Sequence, residues 1–177
     1  RRRHKRYISV TGVQTCALPI STRVIIVFDG IGGASAKRNL YPEYKANRYK
    51  NRATNFDVFT SKEEEDESIK NQMARLIQYL QCLPVSITSI DGIEADDIIG
   101  KLVVDYENNF EVKEITIMSA DKDFLQLISS KTQVYSPSKK KIYKPKDVKE
   151  EYGVDCINFI NYKILLGDQS DNIPGIT

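Results

Sequence analysis

Eight acidic residues follow predicted strands or begin predicted helices, the positions where α/β proteins carry their chemistry. They come from four separate segments: Asp29; Glu94, Asp96 and Asp97; Asp121 and Asp123; Asp168 and Asp171. In a parallel sheet these four junctions can converge on one edge. Ionised carboxylates gathered there would repel each other, and divalent cations would remove the conflict. Oxygen ligands without His or Cys favour Mg²⁺ or Mn²⁺ over zinc.

Each acid also has an ordinary structural interpretation. A lone Asp after a strand is often a turn former, and acids that begin a helix commonly interact only with its dipole. The grouping favours a shared site, because Glu94 and Asp97 are three residues apart on one helical turn, and Asp121 and Asp123 point to one side of an extended stretch. An EF-hand calcium loop is not indicated, because the residues after Asp123 are apolar.

Residues 36 to 52 form a basic segment in which cationic side chains alternate with tyrosines. If the segment is helical, five of its side chains lie along one face of the helix, because they are 0, 3, 7, 10 and 14 residues from the first. They are Arg38, Tyr41, Lys45, Arg48 and Arg52, and they would form a cationic and aromatic stripe. Such a stripe binds phosphates and stacks bases. The alternative is a solvated charged helix. Lys139, Lys140 and Lys141 are weaker evidence for binding, because an exposed hairpin tip explains them.

The remaining pattern alternates strands with helices and predicts an α/β fold with a largely parallel central sheet flanked by helices. β-branched runs predict buried strands at residues 23–28 and 114–118, with a brief strand at 85–89. Ser61 and Glu64 form a capping-box pattern before an amphipathic helix that ends by Pro84. Further helices are predicted after Gly92, at 145–152 and at about 155–166, with a hairpin at 133–143.

Composition fits one globular domain, with 26 Lys and Arg against 24 Asp and Glu. No apolar run approaches the roughly 20 residues of a membrane-spanning helix. Three cysteines without CxxC or Cys/His spacing support neither a disulfide framework nor a zinc site, so we expect a cytoplasmic protein.

The first 21 residues differ from the rest, since they contain five basic residues and no acid. An Arg-rich targeting peptide is one interpretation. We favour another, because the stretch from Val10 to Ile20 looks like a translated sequencing adapter, and we therefore expect residues 1–21 to be a non-native, disordered leader.

Five ordered motifs together resemble the 5′-3′ exonuclease and flap endonuclease family, which includes the N-terminal nuclease of polymerase I and the phage enzymes called RNase H. They are Val27-Phe-Asp-Gly30, Tyr44-Lys-Ala-Asn-Arg48, Gly92-Ile-Glu-Ala-Asp-Asp97, Ser119-Ala-Asp-Lys-Asp-Phe124 and Gly167-Asp-Gln-Ser-Asp-Asn-Ile-Pro-Gly175. The resemblance covers residues 23 to 177.

The resemblance implies a PIN-like nuclease that cuts DNA or RNA–DNA hybrids at 5′ ends and flaps with two Mg²⁺ ions, for which Mn²⁺ can substitute. Asp29, Glu94, Asp96 and Asp121 would surround the first metal, Asp123, Asp168 and Asp171 would serve the second, and Asp97 would lie beside both. Lys45 and Arg48 would touch the scissile phosphate. The nucleic-acid contacts would be Lys37, Arg38, Tyr41, Tyr44, Lys45, Arg48 and Arg52, and we expect a monomer.

The implied organisation is a nuclease domain at 22–166, with a basic arch at about 36–60, followed at 167–177 by the start of a helix-hairpin-helix region. Family members begin with a strand that carries another metal-binding Asp, which residues 1–21 do not supply. We therefore expect a fragment that is poorly active by itself.

Two other functions remain open. A haloacid-dehalogenase-type phosphatase shares a strand ending in Asp, but it needs Asp-x-Asp there and this chain has Ile31 at the second position. A non-catalytic nucleic-acid-binding module would use the basic segment alone. It would have no use for clustered acids, which weaken binding to a polyanion.

Overall fold

A computed structural model describes residues 23–46 and 54–176 of the 177-residue chain. Its strands are β1 (Ile25–Val27), β2 (Ser86–Thr88), β3 (Ile115–Met118), β4 (Thr132–Ser136), β5 (Lys141–Tyr143), β6 (Gly167–Asp168) and β7 (Ile173–Pro174). Its helices are α1 (Ser35–Leu40), α2 (Lys62–Gln81), α3 (Ala95–Glu107), α4 (Pro145–Tyr152) and α5 (Phe159–Leu166). Two 3₁₀ helices cover Lys122–Leu127 and Cys156–Asn158.

The main strands are largely parallel, as predicted, but they form two sheets. β1 pairs with β2 and β3 pairs with β4, both in parallel, while β5 adds to β4 in the antiparallel direction. Helix α3 packs against both β1 and β3 and so connects the two sheets. The predicted mixed α/β fold is confirmed, and the carboxyl ends of β1 and β3 both lie close to segments that carry acids.

The apolar core lies on the side of β3 and β4. Val134 on β4, Val148 on α4 and Phe159 on α5 are each at most 1% exposed. The rings of Tyr152 and Phe159 meet edge to face, with their centroids 5.2 Å apart. This core supports the segments that follow β3 and that precede β6.

The capping pattern of α2 forms in part. The Glu64 amide donates to Ser61 Oγ over 3.2 Å, but the Glu64 carboxylate accepts from the Thr60 amide, 2.8 Å away, instead of from the Ser61 amide. Among residues 23–46 and 54–176 there is no helix with both the length and the apolar character needed to cross a bilayer.

The basic segment does not form the continuous helix on which the predicted stripe depends. Helix α1 ends at Leu40 and Tyr41 is extended, because Pro42 disfavours helical backbone at the preceding residue. Lys45 then adopts φ 56, which breaks the helical register. Residues 47–53, which include Arg48 and Arg52, lie outside the described residues, so the predicted stripe is wrong in its described part and untested beyond it.

Two glycines let the loop after β1 lie directly on the loop before α3. A Cβ atom at Gly30 would be 1.8 Å from the carbonyl oxygen of Ile90, and one at Gly33 would be 2.9 Å from that of Ile93. The Gly30 amide donates to the Ile93 carbonyl over 3.0 Å. This close approach, which only glycine permits, brings the end of β1 to the start of α3.

Candidate metal and nucleic-acid site

Asp29 joins the end of β1 to the first turn of α3. Its Oδ1 accepts a hydrogen bond from the Ala95 amide over 2.7 Å. That amide belongs to the helix N-terminus, where backbone donors lack partners within the helix. The contact places Asp29 beside Glu94, the N-cap residue of α3.

Glu94 is a buried carboxylate surrounded by three donors. Its side chain is 5% exposed, and it accepts from Tyr44 over 2.9 Å, from Lys45, and from Lys37 over 2.6 Å. Burial alone would raise its pKa, but the hydrogen bonds from Lys37, Lys45 and Tyr44 outweigh burial and lower the pKa to about 2. Glu94 is therefore ionised at neutral pH.

Lys37 lies among the three acids at the start of α3. Its Nζ is 2.8 Å from Asp97 Oδ2 and 3.4 Å from Asp96 Oδ1, besides its contact with Glu94. One oxygen from each acid lies within 4.8 Å of the others, a spacing that one metal ion could bridge. The donor set is all oxygen and already surrounds a cation, so these residues fit a hard divalent ion. Burial raises the pKa of Asp96 above its ordinary value.

A second group of acids surrounds Lys163 of α5. The Lys163 ammonium is 2.8 Å from Asp123 Oδ1 and 2.5 Å from Asp168 Oδ2. Asp121 lies next to this group, where its Oδ1 accepts from the Asp123 amide over 2.9 Å and caps the 3₁₀ helix. Burial opposes ionisation of Asp168, but bonds from Lys163 and Ser170 lower its pKa to about 2.

Lys45 and Asp171 connect the two groups. The Lys45 amide donates to the Asp171 carbonyl over 2.9 Å, and its ammonium, which contacts Glu94, is 3.9 Å from Asp171 Oδ2. The Asp171 amide in turn donates to the Asp168 carbonyl over 3.3 Å. Short contacts therefore run without a break from Asp29 to Asp121.

The predicted nucleic-acid residues are distributed around this site. Lys37, Tyr44 and Lys45 contact Glu94 directly, and the Tyr41 hydroxyl donates to the Asn172 carbonyl over 3.1 Å. Arg38 lies on α1, one residue after Lys37. The segment directly after α1 therefore reaches the segment between β6 and β7, which form an antiparallel pair. The predicted helix-hairpin-helix region remains a prediction.

Lys163 is the residue that the sequence pattern did not single out. It is the one cation in the apolar stretch from Phe159 to Leu166, five residues before Asp168. A lone charge in an apolar helix that leads into an acidic motif is the signal that identifies it. Its side chain is 27% exposed, and its partners are both acids of the predicted site.

Residues 12–153 match the family described as the 5′-3′ exonuclease, N-terminal resolvase-like domain. A 5′-3′ exonuclease from Buchnera aphidicola subsp. Schizaphis graminum is 36% identical over 160 residues, which cover 88% of this chain and 48% of that protein. DNA polymerase I of Caldicellulosiruptor bescii is 34% identical over 159 residues, which cover 86% of this chain and 17% of that protein.

The fold is similar to that of the T5 D15 protein crystallised with metal ions. The TM-score is 0.69 at 25% identity, and the match covers 88% of this chain and 56% of the T5 chain. The chain thus spans about half the length of the free-standing exonucleases that it matches. Because the family match extends over most of its length, the chain belongs to the 5′-3′ exonuclease family, and it corresponds to the N-terminal resolvase-like domain of that family.

Proposed function

We propose that this chain carries the nuclease domain of a 5′-3′ exonuclease or flap endonuclease, which hydrolyses phosphodiester bonds of DNA. The observation that carries the proposal is the unbroken series of contacts linking acids from four distant segments, with three lysines held among them. A protein that only bound nucleic acid would gain nothing from this concentration of negative charge near its substrate.

Two Mg²⁺ ions are the proposed cofactors, with Mn²⁺ as a substitute. Asp29, Glu94, Asp96 and Asp121 would hold the first ion, Asp123, Asp168 and Asp171 would hold the second, and Asp97 would lie beside both. When bound, such a pair supplies an activated water and stabilises the leaving oxygen. Support comes from the all-oxygen donor set and from the T5 relative crystallised with metal ions.

The basic side chains would position the substrate. Lys45 sits at the junction of the two acidic groups, where its ammonium can orient a scissile phosphate, and we assign Arg48 the same task. Lys37, Arg38, Tyr41, Tyr44 and Arg52 would contact the flanking strand.

The proposal extends to the protein as a whole. We infer a monomeric, cytoplasmic enzyme of replication and repair that acts on 5′ ends, flaps or RNA–DNA hybrids. Its nuclease domain would span 22–166 and would include a basic arch at about 36–60. A non-native leader at 1–21 would precede this domain, and the start of a DNA-binding helix-hairpin-helix region at 167–177 would follow it. The relatives named 5′-3′ exonuclease and DNA polymerase I support the part of this proposal that concerns replication and repair.

The test is cleavage of a 5′-labelled flap duplex in Mg²⁺ by the protein and by the double variant Asp121→Ala/Asp123→Ala. We expect the variant to lose at least about 100-fold in cleavage rate, because removing metal ligands removes transition-state stabilisation. DNA binding in gel-shift experiments should persist.

The matched control is Asp105→Ala, which removes an exposed carboxylate of α3 that pairs with Lys101. It should cleave at the original rate. Cleavage that is unaffected by the double substitution would refute the nuclease assignment.

A further inference from the structure

The Lys37 ammonium occupies the centre of the acidic cluster at the start of α3. Its Nζ is 2.6 Å from Glu94 Oε2, 2.8 Å from Asp97 Oδ2 and 3.4 Å from Asp96 Oδ1. These carboxylates belong to the same three residues whose oxygens lie within 4.8 Å of one another. A divalent ion bound to them at roughly 2.0–2.6 Å would need the volume that Nζ fills.

The two cations cannot share this volume. At such separations an ammonium and a divalent ion repel each other strongly, and the low exposure of Glu94, 5%, limits screening by water. The three carboxylates supply three negative charges, and Lys37 and Lys45 already balance two of them. Adding an ion therefore favours the departure of one lysine.

Lys37 is better able to leave than Lys45. The Lys45 backbone is tied to the Asp171 carbonyl over 2.9 Å, and its side chain is 12% exposed. The Lys37 side chain is 33% exposed and extends from α1, a helix of six residues with no buried member. Rotation of its flexible stem toward solvent requires no change in the backbone.

We propose that Lys37 is a built-in competitor of the first divalent ion, a side chain that neutralises the cluster until the ion displaces it. The proposal rests on the metal site inferred above. Its first consequence is that metal binding is weaker than the bare carboxylates would allow. Its second is that metal binding releases an ammonium at the rim of the site, where a phosphate of the nucleic acid can take it as a partner.

The test is a calorimetric titration with Mn²⁺ of the protein and of the variants Lys37→Met, Lys37→Arg and Lys101→Met. Lys37→Met should bind the first ion roughly tenfold more tightly, since the competitor is gone. Lys37→Arg keeps the charge and should bind no more tightly than the unsubstituted protein. Lys101→Met removes an exposed lysine that pairs with Asp105 on the same helix as the cluster, and should leave the affinity unchanged.

Thermal unfolding gives an independent measurement, the melting temperature with and without Mn²⁺, which can be made even if a variant is less stable. In chelator, Lys37→Met should melt below the unsubstituted protein, because the carboxylates have lost their counterion. Saturating Mn²⁺ should raise its melting temperature by more than it raises that of the unsubstituted protein.

Equal or weaker Mn²⁺ binding by Lys37→Met, with binding by the unsubstituted protein intact, would overturn the role of Lys37 alone. Absence of binding by both proteins would overturn the metal site and this proposal together.

Discussion

At the scale of single residues, the environment of Glu94 explains how a carboxylate can be buried at low cost. It has ion-pair or hydrogen-bond contacts with Lys37, Tyr44 and Lys45, all from the segment that follows β1. Burial of a charge is tolerated when hydrogen bonds and counterions replace the lost water. Glu94 therefore ties the basic segment to α3 while it remains ionised.

Removal of the Tyr44 hydroxyl tests whether its hydrogen bond helps to stabilise the buried Glu94 carboxylate. We expect Tyr44→Phe to lower the free energy of unfolding by about 1–2 kcal/mol, because it removes one hydrogen bond to a charged group and leaves the two lysines in place. The change is measured as a lower urea midpoint with an unchanged slope. Tyr79→Phe is the control, since Tyr79 is 69% exposed, and it should shift the midpoint little. Equal effects of the two substitutions would contradict the role given to Tyr44.

The acids could be predicted from the sequence, whereas the lysines could not be ranked. Asp29 and Asp121 follow apolar β-branched runs, and this local pattern is visible in one segment at a time. The difference between Lys37, which lies among three acids, and Lys101, which pairs with one exposed neighbour, depends on contacts between residues far apart in the chain. Sequence spacing contains no information about such contacts.

At the scale of elements, Glu151 joins α4 to the β4–β5 hairpin. Its carboxylate is 2.7 Å from the Lys139 ammonium, accepts from the Tyr143 hydroxyl over 2.9 Å, and lies 3.4 Å from the Lys141 ammonium. The bond from Lys139 is the main cause that lowers the pKa of Glu151 from 4.5 to about 2. Lys139 and Lys141 are thus paired within the fold.

This pairing predicts a pH dependence of stability. Because the folded pKa of Glu151 is depressed, its contribution is complete above about pH 4.5 and is lost as the pH falls toward 2. Glu151→Gln should therefore be less stable than the unsubstituted protein at neutral pH, and the difference should shrink between pH 4.5 and 2 in urea unfolding.

Glu150→Gln provides the comparison, since Glu150 lies on the same helix and only its exposed ion pair with Lys146, at 3.8 Å, is lost. It should change stability little at any pH. A Glu151→Gln difference that stayed constant down to pH 2 would show that the carboxylate charge is not what joins α4 to the hairpin. Added salt should also reduce the difference, because the group is partly exposed.

Helices could be predicted from the sequence where residues at their own ends determine where they begin and stop. Helix α4 forms at 145–152 as expected, because Pro145 suits a first turn and Gly153 adopts φ 74 at the end. The continuous helix on which the stripe of Arg38 and Tyr41 depends is interrupted at Tyr41, since the restriction that Pro42 imposes outweighs a favourable charge pattern.

At the scale of the whole molecule, an apolar core and a charged site lie on adjoining parts of the same elements. Helix α5 supplies Phe159 to the core and Lys163 to the acids, and the segment after β3 supplies Phe124 to the core and Asp121 to the site. The packed core thus fixes the backbone on which the second acidic group depends. The first group depends instead on the close contact between the Gly30 and Ile90 loops.

The most direct measurement of the central claim is anomalous diffraction from crystals of the protein soaked in Mn²⁺. We predict one peak within about 2.5 Å of oxygens from Glu94 and its neighbours Asp96 or Asp97, and a second peak beside Asp123 and Asp168. Peaks confined to unrelated surface acids, such as Glu63 and Glu67 on α2, would contradict the account, as would the absence of any peak at a saturating Mn²⁺ concentration.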